Sequence, residues 1–202
     1  MRNAGGLMVR NFRDVGAEVN RLAGKPVMRP GLLLRSGSID SPDELAQVGN
    51  PRTIVCLRRQ ENDFENTVRY FHFPAYNRVE NYATGRKEVR KWVNQALGIL
   101  EMDIQLPVLY HCTAGKDRTG VVISALLKLI GISDAIIWKE FALSEGAADY
   151  PMWKKAMEGF GLIENYLNRI KNPVIIINKF RDKSPSLSGL VDLLGKSTHS
   201  IG

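Results

Sequence analysis

The sequence predicts an α/β core with a helical flank, on three observations. Short apolar segments of strand character alternate with helical patterns in the first half, and the second half is a run of helical patterns. Between them an apolar run at 107–110 leads into His111-Cys112 and resumes as the helical pattern 121–127, so strand, tight loop and helix follow one another directly. The third is size: 202 residues, 44% apolar and 24% charged, suffice for one substantial core and not for two.

Strands are expected around 11–15, 31–35, 53–57, 70–73 and 108–110, where apolar residues lie between turn or polar signals. Ser41-Pro42-Asp43-Glu44 opens a helix, with a capping serine, proline at the first helical position and acids in the first turn. From 87 to 102, Val89, Trp92, Val93, Ala96, Leu97 and Leu100 recur at helical spacing. Further helices are expected over 119–129, 133–143 with Ser133 as cap, 152–160 and 162–170. Residues 173–178, Pro-Val-Ile-Ile-Ile-Asn, read as a strand or extended segment. Beyond Lys183, Leu187, Leu190, Val191 and Leu194 again fall at helical spacing. One domain thus spans 1–202, with 173–202 as a C-terminal extension that either packs on the domain or serves as a docking tail.

Lysine and arginine number 28 against 21 acids, a formal net charge of +7. The surplus favours anionic partners such as phosphorylated proteins, inositol phosphates or the peripheral surface of an acidic membrane. Its basic residues are scattered rather than clustered in a run, which argues against nucleic acid. Two cysteines make neither a disulfide scaffold nor a metal site. The first ten residues lack the apolar core of a signal peptide, and the longest apolar run is too short to span a bilayer. The cytoplasm is the expected location, with export by a signal-independent route left open.

The chemistry is concentrated in His111-Cys112-Thr113-Ala114-Gly115-Lys116-Asp117-Arg118-Thr119-Gly120. A loop between a strand end and a helix N-terminus points its N–H groups inward, and the helix dipole adds positive charge. The amides from Thr113 to Arg118 should line this bowl, with Ala114 and Gly115 leaving room for close approach. Arg118 has the planar fork that grips two phosphate oxygens. Cys112 lies at the floor, where a thiolate is favoured. A nucleophile facing a captured phosphate suits phosphoryl transfer through a cysteinyl phosphate, with no metal or cofactor.

This stretch resembles the signature loop of the cysteine-dependent protein tyrosine phosphatase superfamily: His, Cys, five residues, Arg, then Ser or Thr. The His-Cys-x-Ala-Gly-Lys-Asp-Arg-Thr-Gly form is most similar to bacterial tyrosine and lipid (phosphoinositide) phosphatases. A second segment agrees: Asn11-Phe12-Arg13-Asp14-Val15-Gly16 followed by Gly31-Leu32-Leu33-Leu34-Arg35-Ser36-Gly37 is similar to the amino-terminal pattern of that group. The resemblance covers roughly residues 7–148. It implies the phosphatase fold, a central and mostly parallel sheet flanked by helices.

It also implies roles. Cys112 would be the nucleophile and Arg118 the phosphate clamp; outside this loop they would read as a buried structural cysteine and a surface cation. Thr119 sits where relatives keep a hydroxyl for the thiolate, and a helix-capping role competes with that. His111 would hydrogen-bond and orient the loop. Many relatives carry an aspartate on a mobile loop about thirty residues before the cysteine. Here that region offers only Glu80, whereas Asp117 stands where myotubularin-type phosphatases carry their acid. Asp117 is favoured as general acid over Glu80, with Asp63 further behind and an ion pair to Lys116 or Arg118 as its structural alternative. Lys116 would add a rim cation for a second phosphate, unless it is merely solvated. Cys56 matches a position where tensin-type lipid phosphatases carry a redox partner for the nucleophile, against the plainer role of a small core residue. Arg58 and Arg59, with Glu61 and Asp63, read as an exposed charge cluster, with part of the substrate rim as the alternative. The expected activity is hydrolysis of phosphotyrosine proteins, extending to phosphoserine and phosphothreonine. Phosphoinositide or inositol phosphate hydrolysis is the first alternative, and a catalytically silent phosphate-binding module the second.

Overall fold

A computed structural model describes residues 9–61, 64, 68–75, 80–146 and 150–182. The strands are β1 (Arg13–Asp14), β2 (Leu33–Ser36), β3 (Thr53–Cys56), β4 (Arg69–His72) and β5 (Val108–His111), joined in the order β1-β2-β5-β3-β4. β1 runs antiparallel to β2 and every other pairing is parallel. Strands β2, β3 and β5 are buried along their whole length, as expected of parallel strands covered on both faces. The register aligns Ser36, His111 and Cys56 across them, so three chain segments end side by side where the catalytic-type loop begins.

The helices flanking the sheet are α1 (Val15–Ala23), α2 (Pro42–Gln47), α3 (Lys87–Gly98), α4 (Asp117–Ile130), α5 (Asp134–Ala142), α6 (Tyr150–Phe160), α7 (Ile163–Tyr166) and α8 (Pro173–Phe180). All five expected strands form, each within two residues of its expected ends. The Ser41 side chain accepts from the Glu44 amide at the head of α2, as the capping signature requires. Ser133 occupies the cap position of α5 but its side chain makes no capping bond.

Three expectations are corrected. Helix α1 was not anticipated; Asp14 caps it by accepting from the Gly16 and Ala17 amides, and Gly24 ends it at φ 67°. The helix expected over 162–170 is only the single turn of α7. Residues 173–178 are not extended but form most of α8. The run of β-branched residues favours a strand in isolation, yet Pro173 fits the first helical turn, and helical spacing buries both Ile176 and Phe180. The proposed tail helix from Leu187 onward lies outside the described residues.

Helix α4 organises the core. It is buried on most sides, and it packs against α3, α5, α6, α7 and α8. Gly120 is what lets α5 come so close: a Cβ there would stand 2.5 Å from the Phe141 ring. The loop that launches α4 is therefore anchored at both ends, by the central strand β5 and by the most buried helix.

Candidate active site

Thr113, Ala114 and Gly115 each present their carbonyl to a donor outside the loop. Ser38 donates to the Thr113 carbonyl through both its amide and its hydroxyl, each at 3.1 Å. The Asn11 side-chain amide donates to Ala114 O at 2.7 Å, and Arg35 Nη2 to Gly115 O at 2.9 Å. A trans peptide places its N–H opposite its C=O. Three carbonyls drawn outward therefore turn the amides of Ala114, Gly115 and Lys116 to the inner side of the loop. Among the described residues the backbone N–H groups from Thr113 to Lys116 donate to no protein acceptor. Such a row of unpaired donors at the N-terminus of a fourteen-residue helix calls for an anion.

Gly115 is required for a reason other than ligand access. It has φ 66°, and a Cβ would come within 2.4 Å of Gly37 N and 2.5 Å of Ser36 O. The glycine admits the backbone at the end of β2, which is how the loop is pressed onto its neighbours.

Cys112 is 2% exposed, at the end of β5. A thiolate there lies close enough to act electrostatically on both Arg35 and Tyr82. Arg118 Nη1 donates to Leu57 O at 3.0 Å and its Nη2 to Thr113 Oγ1 at 2.8 Å, so the guanidinium bends back across the loop. Asp117, half-buried beside it, makes no ion pair with Lys116 or Arg118 among the described residues. One carboxylate oxygen instead accepts from Tyr82 OH at 2.8 Å. Burial, reinforced by the bond to Asp117, raises the Tyr82 pKa, so the phenol stays a donor.

Beneath the loop lies a buried charge cluster. The Glu140 carboxylate accepts from Arg35 Nη1 at 2.8 Å through one oxygen and from Arg13 Nε at 2.8 Å through the other. Arg35 is fully buried; burial brings its pKa down to about 10, opposed by Glu140, so it remains a cation at neutral pH. Ser144 Oγ accepts from both arginines, at 2.9 Å from Arg13 and 3.2 Å from Arg35.

Other expected site residues take different parts. Lys116 Nζ donates to the Gly146 carbonyl, tying the loop to the segment after α5 rather than standing free at the rim. His111 is fully buried, and among the described residues neither ring nitrogen has a partner, so the expected hydrogen bond to the loop is not made. Burial first, then nearby Arg58, lowers its pKa to about 3, which keeps the ring neutral. Thr119 is buried in the first turn of α4 with its hydroxyl unpartnered among the described residues. Since Lys116 holds the N-cap position, Thr119 is not the helix cap. Cys56, in β3, is buried and pairs in register with His111, adjacent to the nucleophile position. Arg58 is not an exposed charge: it is buried and paired with Asp40 at 2.8 Å. Glu80 begins a short 3-10 turn (Glu80–Tyr82); its side chain and the whole of Asp63 lie outside the described residues.

A sequence model described as the tyrosine phosphatase family matches residues 7–168. The chain belongs to that family. Over 37 residues, 18% of its length, this family member is 54% identical to a tyrosine-protein phosphatase of Nostoc commune, and the matched stretch spans 13% of that relative. Among solved structures it is similar to the core catalytic domain of the PP-IP phosphatase Siw14 from S. cerevisiae. There the TM-score is 0.55 at 20% identity, covering 81% of this chain and 94% of that one. A second structure of the Siw14 catalytic core gives a TM-score of 0.58 at 18% identity, over 87% and 98% of the two chains. Both likenesses are of fold. Among the described residues this phosphatase family member has no group of three or more His, Cys, Asp or Glu arranged to hold a metal ion. Nor is any described helix long and apolar enough to cross a membrane.

Several residues that shape the site escaped the sequence reading. Asn11, Arg13 and Arg35 entered only as part of a resembling pattern, without a role. Arg35 interrupts an otherwise apolar strand and Glu140 sits among Ile136, Ile137 and Phe141; a charge within a buried run is the signal that marks both. Tyr82 carried no such mark.

Proposed function

We propose that this chain hydrolyses phosphomonoesters through a cysteinyl-phosphate intermediate, with phosphotyrosine proteins as the leading substrate class and phosphoserine or phosphothreonine accepted. The observation that carries this reading is the row of inward, unpaired amides beside Cys112 and Arg118. A phosphate dianion satisfies those donors, and the guanidinium neutralises charge on its equatorial oxygens. The Cys112 sulfur attacks phosphorus in line, the P–O ester bond breaks, and Asp117 gives its proton to the departing oxygen. Water then attacks phosphorus and loses a proton to the Asp117 carboxylate. The S–P bond breaks, releasing inorganic phosphate and restoring the thiolate.

Tyr82 supports Asp117 in this role, because a donor on one carboxyl oxygen orients the other. The bond of Lys116 to Gly146 removes a specific reason to favour inositol polyphosphates at the catalytic loop. The experiment is hydrolysis of an aryl phosphate in excess chelator, followed by a panel of phosphopeptides and phosphoinositides. Wild type is expected to turn over and Cys112→Ser to lose all measurable activity; equal rates in the two proteins would falsify the nucleophile assignment. Binding without turnover by wild type would establish the silent phosphate-binding module instead.

A further inference from the structure

Away from the catalytic loop, α3 and the chain around α7 enclose a cleft of about 210 Å³ lined by Lys87, Arg90, Lys91, Asn94, Asn168 and Arg169. Four of these six residues are cations and none is an acid. Lys87, Lys91 and Arg169 are exposed, and none of them has an ion-pair partner among the described residues. The floor is rigid. Asn94 is 2% exposed; its amide donates to Arg90 O at 2.8 Å and Tyr166 O at 3.0 Å, and its oxygen accepts from the Arg169 amide at 3.0 Å. The Arg90 guanidinium is held by the carbonyls of Tyr166 and Asn165 and lies 5.6 Å from the Tyr166 ring centre.

Gathering like charges around one recess is unfavourable unless an anion offsets the repulsion, and a cleft walled by a single sign concentrates its field. Position matters as well. β4 and β5 are parallel, so α3 must run back between them, starting at the end of the sheet that carries Cys112. Lys87, Arg90 and Lys91 lie in its first turns, with Lys87 and Lys91 exposed and Arg90 turned back onto the chain around α7. The shape is a recess with a hydrogen-bonded floor and several exposed cationic side chains around it, which suits a compact ligand bearing several phosphates better than a single one.

We infer that this cleft is a second anion site, distinct from the catalytic loop, for a multiply phosphorylated group, either a free polyphosphate or a phosphorylated lipid headgroup. It needs no catalytic residue and stands whether or not the hydrolysis reading holds.

The test measures calorimetric binding of inositol hexakisphosphate to the full chain, with saturating tungstate added to occupy the catalytic loop. Wild type is compared with Lys91→Gln/Arg169→Gln and with Lys139→Gln/Lys154→Gln, which removes the same charge elsewhere. All four positions are at least partly exposed, so the fold and aryl phosphate hydrolysis should be unchanged. Binding is expected to persist in tungstate and to weaken about tenfold or more only in the first pair. Loss of all binding in tungstate, or equal weakening in both pairs, would overturn the proposal. Sedimentation with phosphatidylcholine vesicles, with and without a phosphoinositide, identifies the source. Capture by the phosphoinositide vesicles that depends on Lys91 and Arg169 supports a lipid headgroup; binding of the soluble probe alone supports a free ligand.

Discussion

Asp117 and His111 flank Cys112 in the sequence, and the fold surrounds them differently. Asp117 is partly exposed, and one of its carboxylate oxygens accepts from Tyr82. In the proposed mechanism Asp117 protonates the leaving group, so it should matter most when that group leaves poorly. Asp117→Asn is expected to lower kcat by about 10²–10⁴-fold on an alkyl phosphate and by much less on p-nitrophenyl phosphate. An equal loss on both substrates would assign Asp117 to loop structure. His111 is fully buried, and burial, with nearby Arg58 next, depresses its pKa from 6.5 to about 3. Between those two values the unfolded chain binds a proton that the folded chain refuses, so folded stability falls as pH drops through that window. Urea unfolding of wild type should therefore lose stability on acidification more steeply than that of His111→Gln; parallel curves would show that the ring titrates freely in the folded protein.

At the scale of elements, the junction between α4 and α5 depends on a missing side chain. The Phe141 ring occupies the space a Cβ on Gly120 would need, at 2.5 and 2.7 Å from its nearest carbons. Gly120→Ala gains helix propensity but forces α5 away from α4, and overpacking outweighs the propensity. A net loss of about 1–3 kcal/mol is expected, read from the urea midpoint. Unchanged or greater stability would mean that α5 slides freely. Because Arg35 bonds Glu140 of α5, Ser144 just after it and the Gly115 carbonyl of the loop, a shifted α5 should also slow aryl phosphate hydrolysis.

For the whole molecule, the Arg13–Glu140–Arg35 cluster joins the antiparallel edge strand β1, the inner strand β2, helix α5 and the catalytic-type loop at one buried point. Two cations share one buried carboxylate, so removing its charge leaves both uncompensated. Glu140→Gln is expected to cost roughly 3–5 kcal/mol of unfolding free energy. Arg13→Gln, at the less buried end, should cost less and keep the protein folded, so it serves as the measurable companion. If Glu140→Gln unfolds at the same urea concentration as wild type, the cluster carries no tertiary load.

What could be read along the chain was whatever depends on neighbours in sequence. The five strands, the Ser41 cap, the helix after the loop and the order Cys112, Asp117, Arg118 all arise within a few residues, where spacing and local propensity decide. Helix α1 was missed although its Asp14 cap and Gly24 stop are local, and other misses depend on contacts between distant residues. Pro173–Phe180 becomes a helix because helical spacing buries Ile176 and Phe180. Tyr82 reaches Asp117 across 35 positions, and Arg35 reaches Gly115 across 80. The sequence by itself determined the α/β class and the strand–loop–helix stretch that carries Cys112, Asp117 and Arg118, since the strand, loop and helix signals all lie within that stretch. Tertiary structure alone decided which carbonyls are drawn outward, which cations are buried and which acid is held in place, because those follow from packing that no local pattern encodes.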